Sequence, residues 1–243
     1  MFFMRVAELL VQLDNWEEQI QEKCAAYLVE EGGRPDIVLR TDDTDIAKGM
    51  QILWLNKGET DPTPGEAEIA VFDSKFYPLL PAFGAKWFHA TLVELEGYGY
   101  AFTAPSGYGK TTHARLWLKH FGDKARIING DNPIIRRRDE KFYGYGTPFC
   151  GEEGYNVNTA VPLRGLCYLN HGEHNVIRRM DPAVAFGQLL REYSWQITER
   201  SKERYMELLQ DFVEKVPVYQ LTCNMDEEAA QVAYEGMRNG WED

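Results

Sequence analysis

The chain has 243 residues, enough for one large α/β domain or two small ones, which excludes a disulfide-stapled mini-protein. Hydrophobic residues at 44% and charged residues at 26% match an ordinary globule and argue against disorder, collagen or a long coiled coil. A formal net charge of -12 repels phosphate backbones, so nucleic acid is not an expected partner; any phosphate held here needs a local pocket of backbone donors and a few cations.

Residues 1–85 read as a small α+β module. A strand is expected over 2–13, then a helix over 16–31 capped by Asn15 and ended by Gly32-Gly33, where glycine tolerates a left-handed turn. Asp36–Arg40 reads as a strand, and Asp43 and Asp45 open a helix that ends near Lys57-Gly58. The loop 59–65, rich in proline, leads to a third helix over 66–80, before Pro81.

Residues 86–243 form the second domain. Trp87–Leu95 and Tyr100–Thr103 are β-rich runs joined by the turn Glu96-Gly97-Tyr98-Gly99. Ala114, Trp117, Leu118 and Phe121 recur at helical spacing, giving a helix that opens near Lys110. Ala125–Asn129 is a strand, Pro133–Arg138 and Lys141–Tyr145 form a hairpin turning at Asp139-Glu140, and Val161–Leu169 is a further strand. Two helical stripes follow, Phe186 to Tyr193 and Tyr205 to Val216, then a strand Val218–Thr222 and a last helix to Arg238 for which Asn224 and Glu227 have capping-box spacing.

Cys24, Cys150, Cys167 and Cys223 have no metal spacing and read as reduced thiols, mostly in the core. The start, Met1-Phe2-Phe3-Met4-Arg5-Val6-Ala7-Glu8, meets a glutamate before a secretory core could form, and no run is long enough to span a membrane. A cytoplasmic setting without membrane partners is expected.

The chemistry lies in Ala104-Pro-Ser-Gly-Tyr-Gly-Lys-Thr111, which fits G-x-x-x-x-G-K-[ST] with alanine for the first glycine. Gly107 and Gly109 let the backbone curl so that successive N–H groups face an anion. Lys110 adds a point charge, and Thr111, at a helix N-terminus, offers a hydroxyl to Mg²⁺. A glycine-rich strand-to-helix turn without ligand is the plainer alternative.

The run His89-Ala-Thr-Leu-Val-Glu-Leu-Glu-Gly-Tyr-Gly-Tyr-Ala-Phe-Thr-Ala-Pro-Ser-Gly-Tyr-Gly-Lys-Thr111 resembles the catalytic-domain signature of the HPr kinase/phosphorylase family. That signature has a histidine-glycine start, an aliphatic-acidic strand, a G-x-G turn, a second strand and G-x-S-G-x-G-K-S. Ser106 before Gly107 is the detail shared with phosphoenolpyruvate carboxykinases. Asn129-Gly-Asp-Asn-Pro133 and Tyr145-Gly-Thr-Pro-Phe-Cys-Gly151 are similar to segments of HPr-kinase-related proteins, some linked to peptide modification. The resemblance covers the chain from His89 onward. It implies a mixed-sheet, carboxykinase-like α/β catalytic domain that uses ATP and Mg²⁺ to phosphorylate a hydroxyl, usually of serine.

Carried over residue by residue, the resemblance assigns Ser106, Gly107, Tyr108, Gly109, Lys110, Thr111 and Thr112 to the phosphates and Thr111 and Asp131 to Mg²⁺. Asp131, Lys110 and His89 form the catalytic set. Asp131 follows the hydrophobic strand Arg126-Ile-Ile128, as a metal-binding acid in a phosphate-loop enzyme should, and can orient a hydroxyl; a turn aspartate before Pro133 is the plainer reading. Where HPr kinase has two aspartates this chain has Gly130-Asp131, leaving Glu152 and Glu153 as possible second carboxylates. The later R-G-x-G signature is absent, and Thr112 replaces an acidic residue, which puts HPr itself and the reverse phosphorolysis in doubt as activities.

His113 and His120 are expected to face solvent, and His171 and His174 to bracket a turn without a metal. Arg136-Arg137-Arg138 reads as either an anion-binding cluster or the guarded edge of a hairpin, with the solvated edge favoured; Arg164, Arg178 and Arg179 are weaker candidates for neutralising charge. The expected activity is a phosphotransferase acting on the hydroxyl of a protein, peptide or small molecule, in a chain that could also be a homo-oligomer. A carboxykinase would need a larger substrate lobe, and the alternative of a different class is a non-catalytic nucleotide sensor.

Overall fold

The protein is described from a computed structural model covering residues 1–14, 16, 18–30, 33–57, 62–194 and 197–238. It divides into two compact units, Met1–Leu80 and Pro81–Asp243.

In the first unit, β1 (Phe2–Val6) and β2 (Leu9–Asp14) form an antiparallel hairpin where the sequence suggests one strand. Ala7 and Glu8 turn the chain at φ 48° and 63°, the left-handed pair that matches the twist of a two-residue hairpin. Neither residue type advertises such a turn. The helix expected over 16–31 is only α1 (Glu18–Lys23): the chain then makes a 3-10 turn at Ala25–Tyr27 and enters β3 (Leu28–Val29), which pairs with β1. Burial of Cys24 and Tyr27 and the pairing to β1 outweigh helix propensity; Asn15 and Gly32 lie outside the described residues.

Next come β4 (Ile37–Arg40), parallel to β2, and α2 (Asp43–Lys57), which starts at Asp43 as expected. α3 (Pro64–Phe76) begins two residues before the expected start, because Thr63 and Glu66 form a capping box and Pro64 takes the first turn. It also ends early. Pro78 lacks an N–H, and the chain tightens into a 3-10 stretch, Tyr77–Phe83, that includes Pro81. Among the described residues this unit has a four-stranded sheet in the order β3-β1-β2-β4.

The second unit contains β5 (Ala85–Trp87), β6 (Ala90–Leu95), β7 (Tyr98–Thr103), α4 (Lys110–Phe121), β8 (Ala125–Asn129), β9 (Ile134–Arg138) and β10 (Lys141–Tyr145). It continues through β11 (Ala160–His171), β12 (Val176–Arg179), α5 (Pro182–Tyr193), α6 (Lys202–Lys215), β13 (Val218–Cys223) and α7 (Glu228–Met237). The run read as one strand over 87–95 is two: β5 pairs with β9, whereas β6 lies between β7 and β8. β12 goes unnoticed in the sequence. Asn224 does not cap α7; its side chain instead accepts from the Asp226 N–H, and Glu227 occupies the cap position.

Among the described residues the sheet runs β5-β9-β10-β11-β7-β6-β8, with β13 joined to β11 and β12 to β13. It is mixed. β7, β11 and β13 are parallel, and the remaining pairs are antiparallel. Strand alternation gives Tyr100 and Phe102 to one face, where Trp117 of α4 packs 4.9 and 5.2 Å from their ring centres beside Ala230, Ala233 and Met237 of α7. The opposite face carries Tyr168 and the α5 residues Leu189 and Tyr193. Burial of these large side chains, worth about 1.5–3 kcal/mol each, fixes α4 on the sheet and with it the loop that precedes α4.

In the first unit, a Cβ on Gly49 of α2 would lie 2.0 Å from the carbonyl oxygen of Ala67 in α3. Gly49→Ala is expected to lower the stability of this unit by about 1–3 kcal/mol or more despite alanine's better helix propensity. A wild-type urea midpoint in the variant would contradict this close helix approach.

Candidate active site

Strand register assembles the site. Ala90, the first residue of β6, pairs with Thr103, the last of β7, and Leu92 pairs with Asn129, the last of β8. His89, the loop after Thr103 and Asp131 therefore emerge at one end of three adjacent strands. The Ala90 N–H donates to the Asp131 carbonyl at 2.9 Å, closing the group.

The loop Pro105–Tyr108 is exposed, and Gly107 and Gly109 have φ 77° and 85°, values strained for any residue with a side chain. Nothing lies within 4 Å of a Cβ built on Gly107. Gly109 caps α4 with no side-chain bond to its first turn, so the N–H groups of Lys110, Thr111 and Thr112 have no acceptor within the helix. The sequence-assigned phosphate residues Ser106 to Thr112 thus form one open turn at a helix start. Their bends come from the positive φ of Gly107 and Gly109 and from a turn in which the Tyr108 N–H donates to the Pro105 carbonyl at 3.1 Å.

Lys110 is buried, and its Nζ lies 2.9 Å from Nε2 of His89 and 3.4 Å from the carbonyl oxygen of Ala104. Burial lowers its pKa from the ordinary lysine value, and the nearby Asp131 carboxylate offsets part of that. Nε2 of His89 also lies 3.1 Å from Oδ1 of Asp131. One ring nitrogen cannot serve both neighbours: it accepts from Lys110 when bare and donates to Asp131 when protonated. His89 is held by its backbone, its N–H donating to the Tyr193 hydroxyl at 3.2 Å and its carbonyl accepting from Thr103 at 2.9 Å.

Asn129 has a role that sequence reading misses. Its fully buried carboxamide accepts from the N–H groups of Asp131 (3.0 Å) and Asn132 (2.7 Å) and donates to the carbonyl of Thr147 (3.1 Å). This ties the turn that presents Asp131; the only sequence signal is an asparagine two residues before the acid. Trp87 Nε1 donates to Oδ1 of Asn132 at 3.0 Å, bracing the same turn from β5.

The missing second aspartate has a steric cause. A Cβ at Gly130 would lie 2.6 Å from the carbonyl oxygen of Cys150, so no residue but glycine fits. Of the two alternative carboxylates, Glu153 comes near: a Cβ on Gly151 would be 3.2 Å from Cβ of Asp131 and 3.7 Å from Oε2 of Glu153. Its other oxygen is 3.7 Å from Arg115 of α4. Glu152 is exposed.

Among the described residues no group of three His, Cys, Asp or Glu side chains converges as a metal cage. The donors that could hold a cation together with a ligand's own oxygens are the Thr111 hydroxyl in the first turn of α4 and the Asp131 carboxylate after β8.

Other candidates lie elsewhere. His113 is buried on α4, contrary to the expected exposure: Trp117 Nε1 donates to its Nε2 at 3.1 Å and its ring packs 4.6 Å from Phe102. Helix geometry puts 113 on the same stripe as Trp117, a spacing that sequence reading overlooked. Arg136–Arg138 lie on β9, an inner strand between β5 and β10 instead of an edge; Arg136 donates to the Phe83 carbonyl and Arg137 to Asp211, both structural contacts. Arg164 stacks over Tyr98 at 3.7 Å. His171 ends β11, its ring 5.0 Å from Tyr108. The four cysteines are free thiols, three of them buried. Among the described residues no helix is long and apolar enough to cross a membrane.

Two cavities flank the loop. One of about 430 Å³ lies on the α5 side and includes His89 and Pro105; one of about 160 Å³ on the α4 side includes Gly107, Gly109 and Thr112.

No family model matches the sequence, and no curated protein matches it. Among solved structures the chain is similar to the HPr(Ser) kinase/phosphatase from Coxiella burnetii, at 9% identity and TM-score 0.40, over 65% of this chain and 99% of that one.

Burial lowers the pKa of His113 to about 3, so the folded protein keeps it neutral while the unfolded chain protonates it near 6.5. Its contribution is complete above pH 6.5 and is lost as pH falls from there toward 3. His113→Gln, which keeps an acceptor for Trp117, is expected to flatten the acid limb of the stability profile by up to about 1.4 kcal/mol per pH unit in that window. Parallel wild-type and variant profiles in urea titrations between pH 7 and 4 would refute a buried neutral histidine.

Proposed function

We propose that the second unit is an ATP- and Mg²⁺-dependent phosphotransferase that phosphorylates a hydroxyl group, serine being the expected kind. The observation that carries this reading is the Lys110–His89–Asp131 line, 2.9 and 3.1 Å between successive polar atoms, at the foot of an open glycine turn. The N–H groups of the segment Ser106 to Thr112, apart from that of Tyr108, which donates to the Pro105 carbonyl, and the amine of Lys110 would bind the phosphates, and Thr111 and Asp131 would hold Mg²⁺, which would supply charge neutralisation when bound.

The acceptor oxygen would form a bond to the γ-phosphorus as the bond from that phosphorus to the bridging oxygen breaks and ADP leaves with its electron pair. The hydroxyl proton would pass to Asp131 or to Nε2 of His89. An anion that draws Lys110 toward itself removes the donor from Nε2 and leaves that nitrogen free for proton transfer with Asp131. Positioning and charge stabilisation do most of the catalytic work in this chemistry, so a short set of residues suffices.

A second reading, a nucleotide sensor without turnover, draws on one feature: Gly130 leaves no space for a second carboxylate beside Asp131. The two readings separate by substitution. Mg²⁺ and ATP at one hundred times the dissociation constant should stabilise the wild type by about 2.7 kcal/mol, and Lys110→Ala should lose that gain. Identical melting of the two proteins across millimolar ATP would refute the nucleotide site. Asp131→Asn should keep a thermal shift but lower acceptor-dependent ADP release by about 10²–10⁴-fold; equal release would favour the sensor or a different base.

A further inference from the structure

We propose that the larger cavity beside His89 is the acceptor site, and that it selects a hydroxyl compound carrying a primary ammonium group. This deepens the phosphotransferase reading and rests on it.

Position comes first. The cavity of about 430 Å³ falls within the size range of small-molecule sites and reaches from His89 and Pro105 to Glu192 on α5. It meets the glycine loop only at its start, Ala104 and Pro105, whereas the loop glycines and Thr112 line the smaller cavity, which adjoins it at Leu169 and Asn170 of β11. A nucleotide seated on the glycines therefore leaves the α5-side cavity for the second substrate, with His89 on the boundary.

Charge then selects the occupant. Glu192 supplies the only carboxylate lining the cavity, and no lysine or arginine lines it among the described residues. The carboxylate is already oriented: the Tyr168 hydroxyl donates to Oε2 at 3.0 Å and Gln188 Nε2 donates to Oε1 at 3.2 Å. Burial and the adjacent carboxylate raise the Tyr168 pKa, so the phenol stays protonated and keeps donating. Each carboxylate oxygen retains acceptor capacity for a further N–H.

Lys86, on which the Glu192 carboxylate acts from within the fold, does not line the cavity. It is fully buried 3.5 Å over the Tyr193 ring, donates to the Trp87 carbonyl, and burial pushes its pKa well below the ordinary lysine value. An ammonium entering the cavity would thus meet a held carboxylate and an aromatic wall, since Trp87 lies nearly parallel to His89 at 6.5 Å with Tyr193 edge-on at 5.9 Å. An anionic group entering the same space would meet the Glu192 carboxylate at the α5 end. The amine is placed toward Glu192 and the hydroxyl toward His89.

The test is calorimetric binding of L-serinamide and N-acetyl-L-serinamide to the wild type, and of L-serinamide to Glu192→Gln. The expected result is at least 10-fold tighter binding of L-serinamide to the wild type than in either other pairing. Equal binding of the acetylated compound, unchanged binding to Glu192→Gln, or no binding of L-serinamide would each overturn the proposal. Repeating the titration with a short peptide that begins in serine separates the two sources of this chemistry: tighter binding than serinamide assigns a chain terminus, and equal or weaker binding a free amino alcohol. Failure of the wild type to be stabilised by Mg²⁺ and ATP would instead overturn the phosphotransferase reading, whatever the serinamide result.

Discussion

The arrangement depends on holding one amine in a place that disfavours its charge. Lys110 is removed from water, and a carbonyl oxygen, an imidazole nitrogen and the field of Asp131 only partly replace what hydration gave it. An incoming anion would supply the missing compensation, and phosphate is the anion of the proposed reaction. The cost of placing it there falls on the rest of the domain: α4 must be anchored by Trp117, and His89 by Thr103 and Tyr193, before the amine is confined.

The same economy explains the single aspartate. The turn after β8 is tied by Asn129 and pressed against the carbonyl of Cys150, and that contact leaves room for glycine alone at position 130. A paired aspartate is therefore incompatible with this path of the segment around Cys150, not merely absent from it. Glu153 has an oxygen 3.7 Å from a Cβ built on Gly151, the position that also approaches Asp131, and Arg115 of α4 lies 3.7 Å from its other oxygen.

Features set by short-range chemistry were legible in the sequence. The glycine loop, the helix from Lys110, the strand Ala125–Asn129, the hairpin at Asp139-Glu140 and the start of α2 at Asp43 each depend on neighbours within a few residues. What failed to show was decided at long range. The short α1, the split between β5 and β6, and the small strands β3 and β12 follow from which strand each segment pairs with, and the left-handed turn at Ala7-Glu8 is imposed by its hairpin. In the site, Lys110 and His89 could be named from pattern, but the contacts made by Asn129 and Tyr193 could not, since those residues reach the site through strand register and the packing of α5.

Two adjoining cavities, which share Leu169 and Asn170, offer different chemistry to a ligand of a strongly acidic protein. On the α4 side, an anion would be met by backbone N–H groups, whose dipoles add attraction without changing the net charge of -12. On the α5 side, the cavity carries an oriented carboxylate and no positive side chain among the described residues. In the proposed reaction a triphosphate would meet the glycine turn and an ammonium the α5-side cavity. His89, which lines the α5-side cavity and touches Lys110, stands where the two would meet.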